Sequence, residues 1–208
     1  MFYEVAKGHG LPFDPFKAVV APRPIGWISA ISAKGEVNLS PYSFFNAVSD
    51  NPHMVGFSSQ GIKDAITFVE ETGEFVCNLA TWDLRDQMNA SSAPLPRGQN
   101  EMDFAGLTAA PSRLVKPPRV AESPVAFECK LLRIIPLKPL EGEAVYHFVI
   151  GQVMAIHIDD RFIIDGIVDT AAMRPIARAG YKDYFVGTPE TKFSLARPPG
   201  AGDLAPSS

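Results

Sequence analysis

Apolar and polar residues alternate over much of this chain. Over 125–135, Val125, Phe127, Cys129 and Leu131 share one face while Glu128 and Lys130 share the other, the period-two mark of a half-buried strand. The clearest strand, YHFVIGQVMAIHID at 146–159, puts Tyr146, Phe148, Ile150, Met154, Ile156 and Ile158 on one side, and Gly151 marks a bulge or bend. Shorter strands are predicted at 25–32, from 37, at 54–59 and at 75–81. Ala33-Lys34-Gly35-Glu36 reads as a hairpin turn, with Gly35 free to take positive φ. The spacing of Ile66 and Val69 predicts a helix over 63–72, with Asp64 as its N-cap and Gly73 ending it. A second short helix is predicted at 84–91, and 92–124 reads as a proline-rich loop that shapes access to a pocket.

These elements predict a mainly β protein, an antiparallel barrel with a few packed helices, since closing a barrel removes exposed strand edges. The 19 prolines among 208 residues argue against long helices. No repeat or linker divides the chain, so 1–190 is read as one domain and 191–208, rich in Pro, Gly and Ser from about 197, as a flexible tail.

A net charge of −4 supplies no basic excess for nucleic acid or an anionic membrane, so any phosphate site must be local. No apolar run approaches the roughly 20 residues of a membrane span, and the first residues lack the pattern of a signal peptide. Cys77 and Cys129 lie in apolar runs and are read as reduced, buried thiols of a cytoplasmic protein.

Motifs of several enzyme classes are absent. There is no G-x-G-x-x-G after a strand, no Walker A loop, no C-x-x-C and no H-E-x-x-H, and GFSSQG at 56–61 lacks the nucleophile-elbow spacing. His147 and His157 share a strand face, but ten residues of strand span roughly 33 Å, too far to share a metal. Each is read as a surface or hydrogen-bonded histidine, and no metal site is expected.

Three stretches remain: RPIGWISAIS at 23–32, NLSPYSFFNAVSDNP at 38–52 and FSSQGIKDAITFVEETGEFVCNLAT at 57–81. With NEMDFAGL at 100–107 and RPIARAGYKDYF at 174–185, their order and spacing resemble the flavin reductase-like family of FMN-binding split barrels, which includes the flavoredoxins. The resemblance covers roughly 10–186. It implies a Greek-key split β-barrel, a homodimer with one FMN per subunit near the interface, and either NAD(P)H:flavin reductase activity or flavoredoxin-like electron transfer. A partner oxygenase or redox protein would follow from either. A flavin-binding module without turnover and a sibling oxidase of pyridoxal-type substrates are the further alternatives.

The resemblance also assigns candidate residues. FMN needs positive charge or N–H groups for its phosphate, and a flat apolar slot with polar groups at the ring edge. Ser58, Ser59 and Lys63, with Asp64 at the helix start and Gly61 beside it, suit the phosphate; otherwise they are an ordinary polar helix entry. Ser43, Phe45 and Asn46 suit the ring edge, and one of Phe44 and Phe45 would wall the slot while the other enters the core. Trp27 either covers the flavin or packs at the dimer interface, and Ser29 and Ala30 would offer backbone bonds to the ring. Arg23, between Pro22 and Pro24, reads as structural. Arg178 and Tyr184, or Tyr181 in its place, would reach the partner's flavin or the nicotinamide; otherwise they are an exposed arginine and a packed tyrosine. Hydride transfer from NADH or NADPH to flavin N5 requires no dedicated general base from the protein.

Overall fold

A computed structural model of the chain describes residues 1–196. The strands of the two larger sheets are β1 (Arg23–Pro24), β2 (Gly26–Ile31), β3 (Val37–Tyr42), β4 (Phe45–Asp50), β5 (His53–Gln60), β6 (Glu74–Leu79), β7 (Val125–Leu137), β8 (Tyr146–Ile158), β9 (Ile176–Arg178) and β10 (Tyr184–Val186). The helices are α1 (Phe16–Val19), α2 (Asp64–Thr72), α3 (Arg85–Ala90) and α4 (Glu101–Phe104). Of the predicted tail, 191–208, the residues from Arg197 onward lie outside the described residues.

The main sheet is antiparallel, in the order β3-β2-β6-β7-β8-β5-β4. It curls until Tyr42 of β3 meets Phe57 of β5, with ring centroids 4.8 Å apart. β3 and β4 are joined by Ser43 and Phe44 but do not pair, so the barrel is split there. Its interior is filled by Ile28, Tyr42, Phe57, Phe75, Cys129 and Val149. α2 closes one end with Ala65, Ile66, Phe68 and Val69 buried. A buried side chain of this size contributes about 1.5–3 kcal/mol, so this short helix is held mainly by its apolar face.

Most predicted elements stand within a residue or two, with informative differences. Lys63, not Asp64, is the N-cap residue of α2, and Asp64 opens the helix with its carboxylate bound to Arg97 at 2.6 and 2.9 Å. The 33–36 turn forms as expected, with Gly35 at φ +89°. The register of β7 and β8 shifts at Ile150/Gly151, where any Cβ on Gly151 would overlap the Phe75 ring. The side of β8 that carries Met154 and Ile156 turns outward, leaving them 42% and 48% exposed, whereas Val149 is buried.

Segment 92–124 is more than a loop. It contains α4, capped by the Asn100 side chain, and a short ladder between Ala109–Ala110 and Arg119–Val120. It roofs a second apolar cluster that includes Trp27, Leu39, Met88, Met102 and Val120. The same segment buries Glu128, which the alternation had placed on the polar face. The Glu128 carboxylate accepts the backbone N–H groups of Arg113 and Leu114 at 2.8 and 2.6 Å and lies 2.5 Å from His157 Nε2. The buried thiols of Cys77 and Cys129 are both free; burial and the neighbouring thiol hold Cys77 protonated by raising its pKa.

Burial pushes the Glu128 pKa up, but the N–H bonds from Arg113 and Leu114 and the contact with His157 outweigh it and leave it below the ordinary carboxylate value. Its contribution to stability is therefore complete above about pH 4.3 and is lost as pH falls through the lower folded value. Glu128→Gln turns an amide N–H2 toward a backbone N–H and should cost about 1–3 kcal/mol at neutral pH. Chemical denaturation at pH 7 and pH 3 tests both points: the gap between wild type and variant should shrink at pH 3, and a constant gap would contradict this account.

Candidate functional site

At the split, β5 sets the geometry. Val55, Phe57 and Ser59 are buried toward the barrel interior, so Gly56 and Ser58 face outward. Outside lies a slot of about 340 Å³ walled by Phe44, Phe45 and Phe148, with Ser43, Asn46 and Ser58 as polar neighbours. Gly56 is required there, since a Cβ would overlap the Phe148 ring. Phe45 lies against Gly26 and the barrel core, while Phe44 stands 6.0 Å from Tyr146. The either-or expectation for the two phenylalanines therefore resolves as both: each lines the slot, and Phe45 also packs on the core. The Asn46 Oδ1 accepts the Ala47 N–H.

A second cavity of about 410 Å³ adjoins the first through Arg23 and Ser43. Arg178, Tyr181 and Tyr184 line it on one side, and Met88, Asn89 and Ser92 on the other. Arg178 donates to the Tyr184 hydroxyl and the Tyr181 carbonyl, and its guanidinium lies 4.5 Å from the Tyr184 ring centroid. The sequence suggested that segment 92–124 shapes access to a pocket; of that segment Ser92 alone lines either cavity among the described residues.

Ser43, Phe45, Asn46, Ser58, Arg178 and Tyr184 thus gather around two joined cavities. The other candidates do not. Trp27 is fully buried, and its indole N–H donates to Ser91 Oγ at 2.9 Å. That places the ring in the second core cluster rather than over a ligand or at an interface. The Ser29 backbone is paired on both sides, to Leu39 and Val76, and its hydroxyl donates to the Pro118 carbonyl. Ala30 is buried and pairs with Asn38, so neither residue offers backbone bonds to the slot. Ser58 and Ser59 lie on opposite faces of β5, and the Ser59 hydroxyl donates to Gly61 O. Lys63 is exposed and lines neither cavity, and Asp64 is held by Arg97. The phosphate cluster expected from Ser58, Ser59 and Lys63 is therefore not assembled on one surface.

Arg23, which the sequence presented as structural, is the principal cavity residue outside the candidate set. It is 95% buried, with 5% relative exposure, and lines both cavities. Its terminal nitrogens donate to the carbonyls of Lys17, Val20 and Ala179, while Nε has no partner. Burial and then the nearby Arg178 charge lower its pKa. The signal in the sequence was its place between two prolines, which reads equally well as a turn.

The sequence profile of the Flavin reductase like domain matches residues 20–164, and the chain belongs to that family. An uncharacterized protein of Halalkalibacterium halodurans, BH2278, is 38% identical over 184 residues, covering 86% of this chain and 87% of its own. Nitrilotriacetate monooxygenase component B from Bacillus cereus superposes with a TM-score of 0.85 at 28% identity, over 94% of this chain and 98% of that one. The 2-nitrobenzoate 2-nitroreductase NbaA of Pseudomonas fluorescens follows at 0.78 and 25%, over 93% and 91%. The architecture is the split barrel of flavin reductases and flavoredoxins.

Replacing Trp27 with Phe removes the donor to Ser91 Oγ and leaves a void in the second cluster. It should cost about 1–3 kcal/mol, read as a lower midpoint in urea. A variant as stable as wild type would show that the indole does not support that cluster.

Proposed function

We propose that this chain is an FMN-dependent oxidoreductase of the NAD(P)H:flavin reductase type. The observation that carries the reading is the aromatic slot of Phe44, Phe45 and Phe148 joined to a second, cationic cavity at Arg23 and Ser43. The slot offers a flat apolar ring site with Ser43, Asn46 and Ser58 beside it. Arg23, nine-tenths buried and lining both cavities, supplies a fixed positive charge suited to an anionic or carbonyl group. These residues fit an isoalloxazine and its polar edge.

When bound, FMN supplies N5 as acceptor of the hydride, with its electron pair, that leaves C4 of the nicotinamide. The protein's part is positional. Phe44 and Phe148 exclude water from the slot, and Phe45 fixes its floor against the core. Ser43, Asn46 and Ser58 orient the ring by hydrogen bonding, and Arg178, held by Tyr184, presents charge at the adjoining cavity. Hydride transfer between stacked rings needs orientation rather than a general base. Similarity to a monooxygenase component supports delivery of the electrons to a partner oxygenase.

The homodimer proposed with this function rests on the outward face of β7 and β8. Ile135 and Leu137 pair across the strands with Phe148 and Tyr146, and Ile135, Leu137, Met154 and Ile156 are all exposed in the single chain. This apolar surface runs up to the slot, because Phe148 belongs to both. Exposed patches of this kind mark interaction surfaces.

Two measurements test the reading. NADH or NADPH added anaerobically to the FMN-loaded protein should bleach absorbance near about 450 nm. Flavin bands that persist would leave a flavoredoxin-like carrier or a binding module instead. Analytical ultracentrifugation should show a dimer that Ile135→Asp converts to a monomer, since a charge buried in an apolar interface is strongly disfavoured. A wild-type monomer would remove the interface from the proposal.

A further inference from the structure

A further cavity, of about 520 Å³, lies at the other end of β8 from the slot. Segment 92–124 lines it with Arg113, Arg119 and Ser123, and the end of β8 and the turn after it with His157, Asp159 and Asp160. Phe148 and His157 stand near opposite ends of β8, roughly 30 Å apart at about 3.3 Å per residue. Among the described residues the cavity shares no lining group with the slot or with the cationic cavity beside it. Adjacent strand residues face opposite sides, so the His157 ring turns away from Ile156 and the apolar surface read as the dimer face.

One buried carboxylate organises this cavity. Glu128 accepts the N–H groups of Arg113 and Leu114 and faces His157 Nε2. Its lowered pKa keeps it ionised at neutral pH, so Nε2 carries the hydrogen between the two side chains. In the neutral imidazole Nδ1 is then an acceptor, and it makes no hydrogen bond among the described residues. The Arg113 guanidinium likewise has no partner there, and Arg119 gives only its Nε, to the Pro111 carbonyl. Asp159 is neutralised by Arg161, whose nitrogens lie 2.6 to 3.1 Å from its oxygens. Asp160 also lines the cavity but is exposed, where solvent and salt screen its charge. Two guanidiniums and one acceptor nitrogen remain. The backbone that carries them is fixed by Glu128 and by the ladder that pairs Arg119 with Ala110, which lowers the entropy cost of binding.

We propose that this cavity is a second ligand site, separate from the slot, that takes a small hydroxydicarboxylate: Arg113 and Arg119 receive its carboxylates, and His157 Nδ1 accepts a hydrogen bond from its hydroxyl. Arginine's planar fork matches carboxylate geometry in two parallel bonds. Glu128 acts through His157 as a positioning residue, since it fixes which ring nitrogen faces the ligand. The site stands whether or not the slot binds flavin, because no residue of the slot takes part in it.

Calorimetric titration of the full chain at low salt with malate, and with succinate as the same dicarboxylate lacking the hydroxyl, tests the site. Saturable malate binding is expected in the wild type, at least about tenfold weaker in Arg113→Gln and in Arg119→Gln. Succinate should bind the wild type more weakly than malate does. His157→Gln keeps a donor toward Glu128 but lacks Nδ1, and should bind the two ligands alike. Absence of malate binding by the wild type, or equal binding by wild type and both arginine variants, would overturn the proposal. So would malate binding that Arg178→Gln weakens and the Arg113 and Arg119 variants do not, since the anion would then sit in the cavity beside the slot. Equal wild-type affinities for malate and succinate would overturn the role of His157. Saturating FMN should leave the malate titration unchanged, and displacement of malate by FMN would overturn the separation of the two sites.

Discussion

The strict alternation of β5 governs this molecule. Phe57 has to be buried where the curled sheet brings β3, β6 and β8 together, and its ring meets Tyr42 and Phe75 inside. Once Phe57 and Ser59 face inward, Gly56 and Ser58 must face outward. The missing side chain at Gly56 admits the Phe148 ring from β8, and Ser58 stands beside it with its N–H bound to the Phe44 carbonyl. The aromatic slot is thus the outer consequence of how the core is packed. A one-residue slip of β5 would exchange the two faces and remove core and slot together.

Two buried charges show contrasting treatment. Glu128 is fully enclosed and satisfied, with two backbone N–H groups and an imidazole at its oxygens, and it ties segment 92–124 to the barrel. Arg23 is almost as enclosed but is left short of one partner and set against a second cation. A buried charge is retained cheaply when its bonds are complete, as at Glu128. Incomplete bonding, as at Arg23, leaves part of the group's desolvation cost unoffset.

The short β1·β9·β10 sheet joins these features. It carries Arg23, Arg178 and Tyr184 from chain positions more than 150 residues apart to one side of the barrel split. The backbone bridge between Thr81 and Pro175 fastens it close to β6 and α3. The cationic cavity therefore belongs to no single segment, whereas the slot is built largely from the contiguous 43–58 stretch and closed by Phe148.

Sequence by itself determined the strands, the 33–36 turn, the α2 helix and the place of the Ser43-Phe44-Phe45-Asn46 stretch, because period-two alternation and turn chemistry act over a few residues. It also marked Ser43, Phe45, Asn46 and Ser58 through their family-like spacing. It could not determine which face of β8 turns inward, since both faces carry large apolar residues and the choice depends on Gly151 admitting Phe75. Nor could it show that Trp27 is walled in by α3 and segment 92–124, that Glu128 is buried, or that Ser58 and Ser59 part company. The pairing of Arg23 with Arg178 was decided only by tertiary structure, because cross-strand partners distant in the chain leave no local pattern to read.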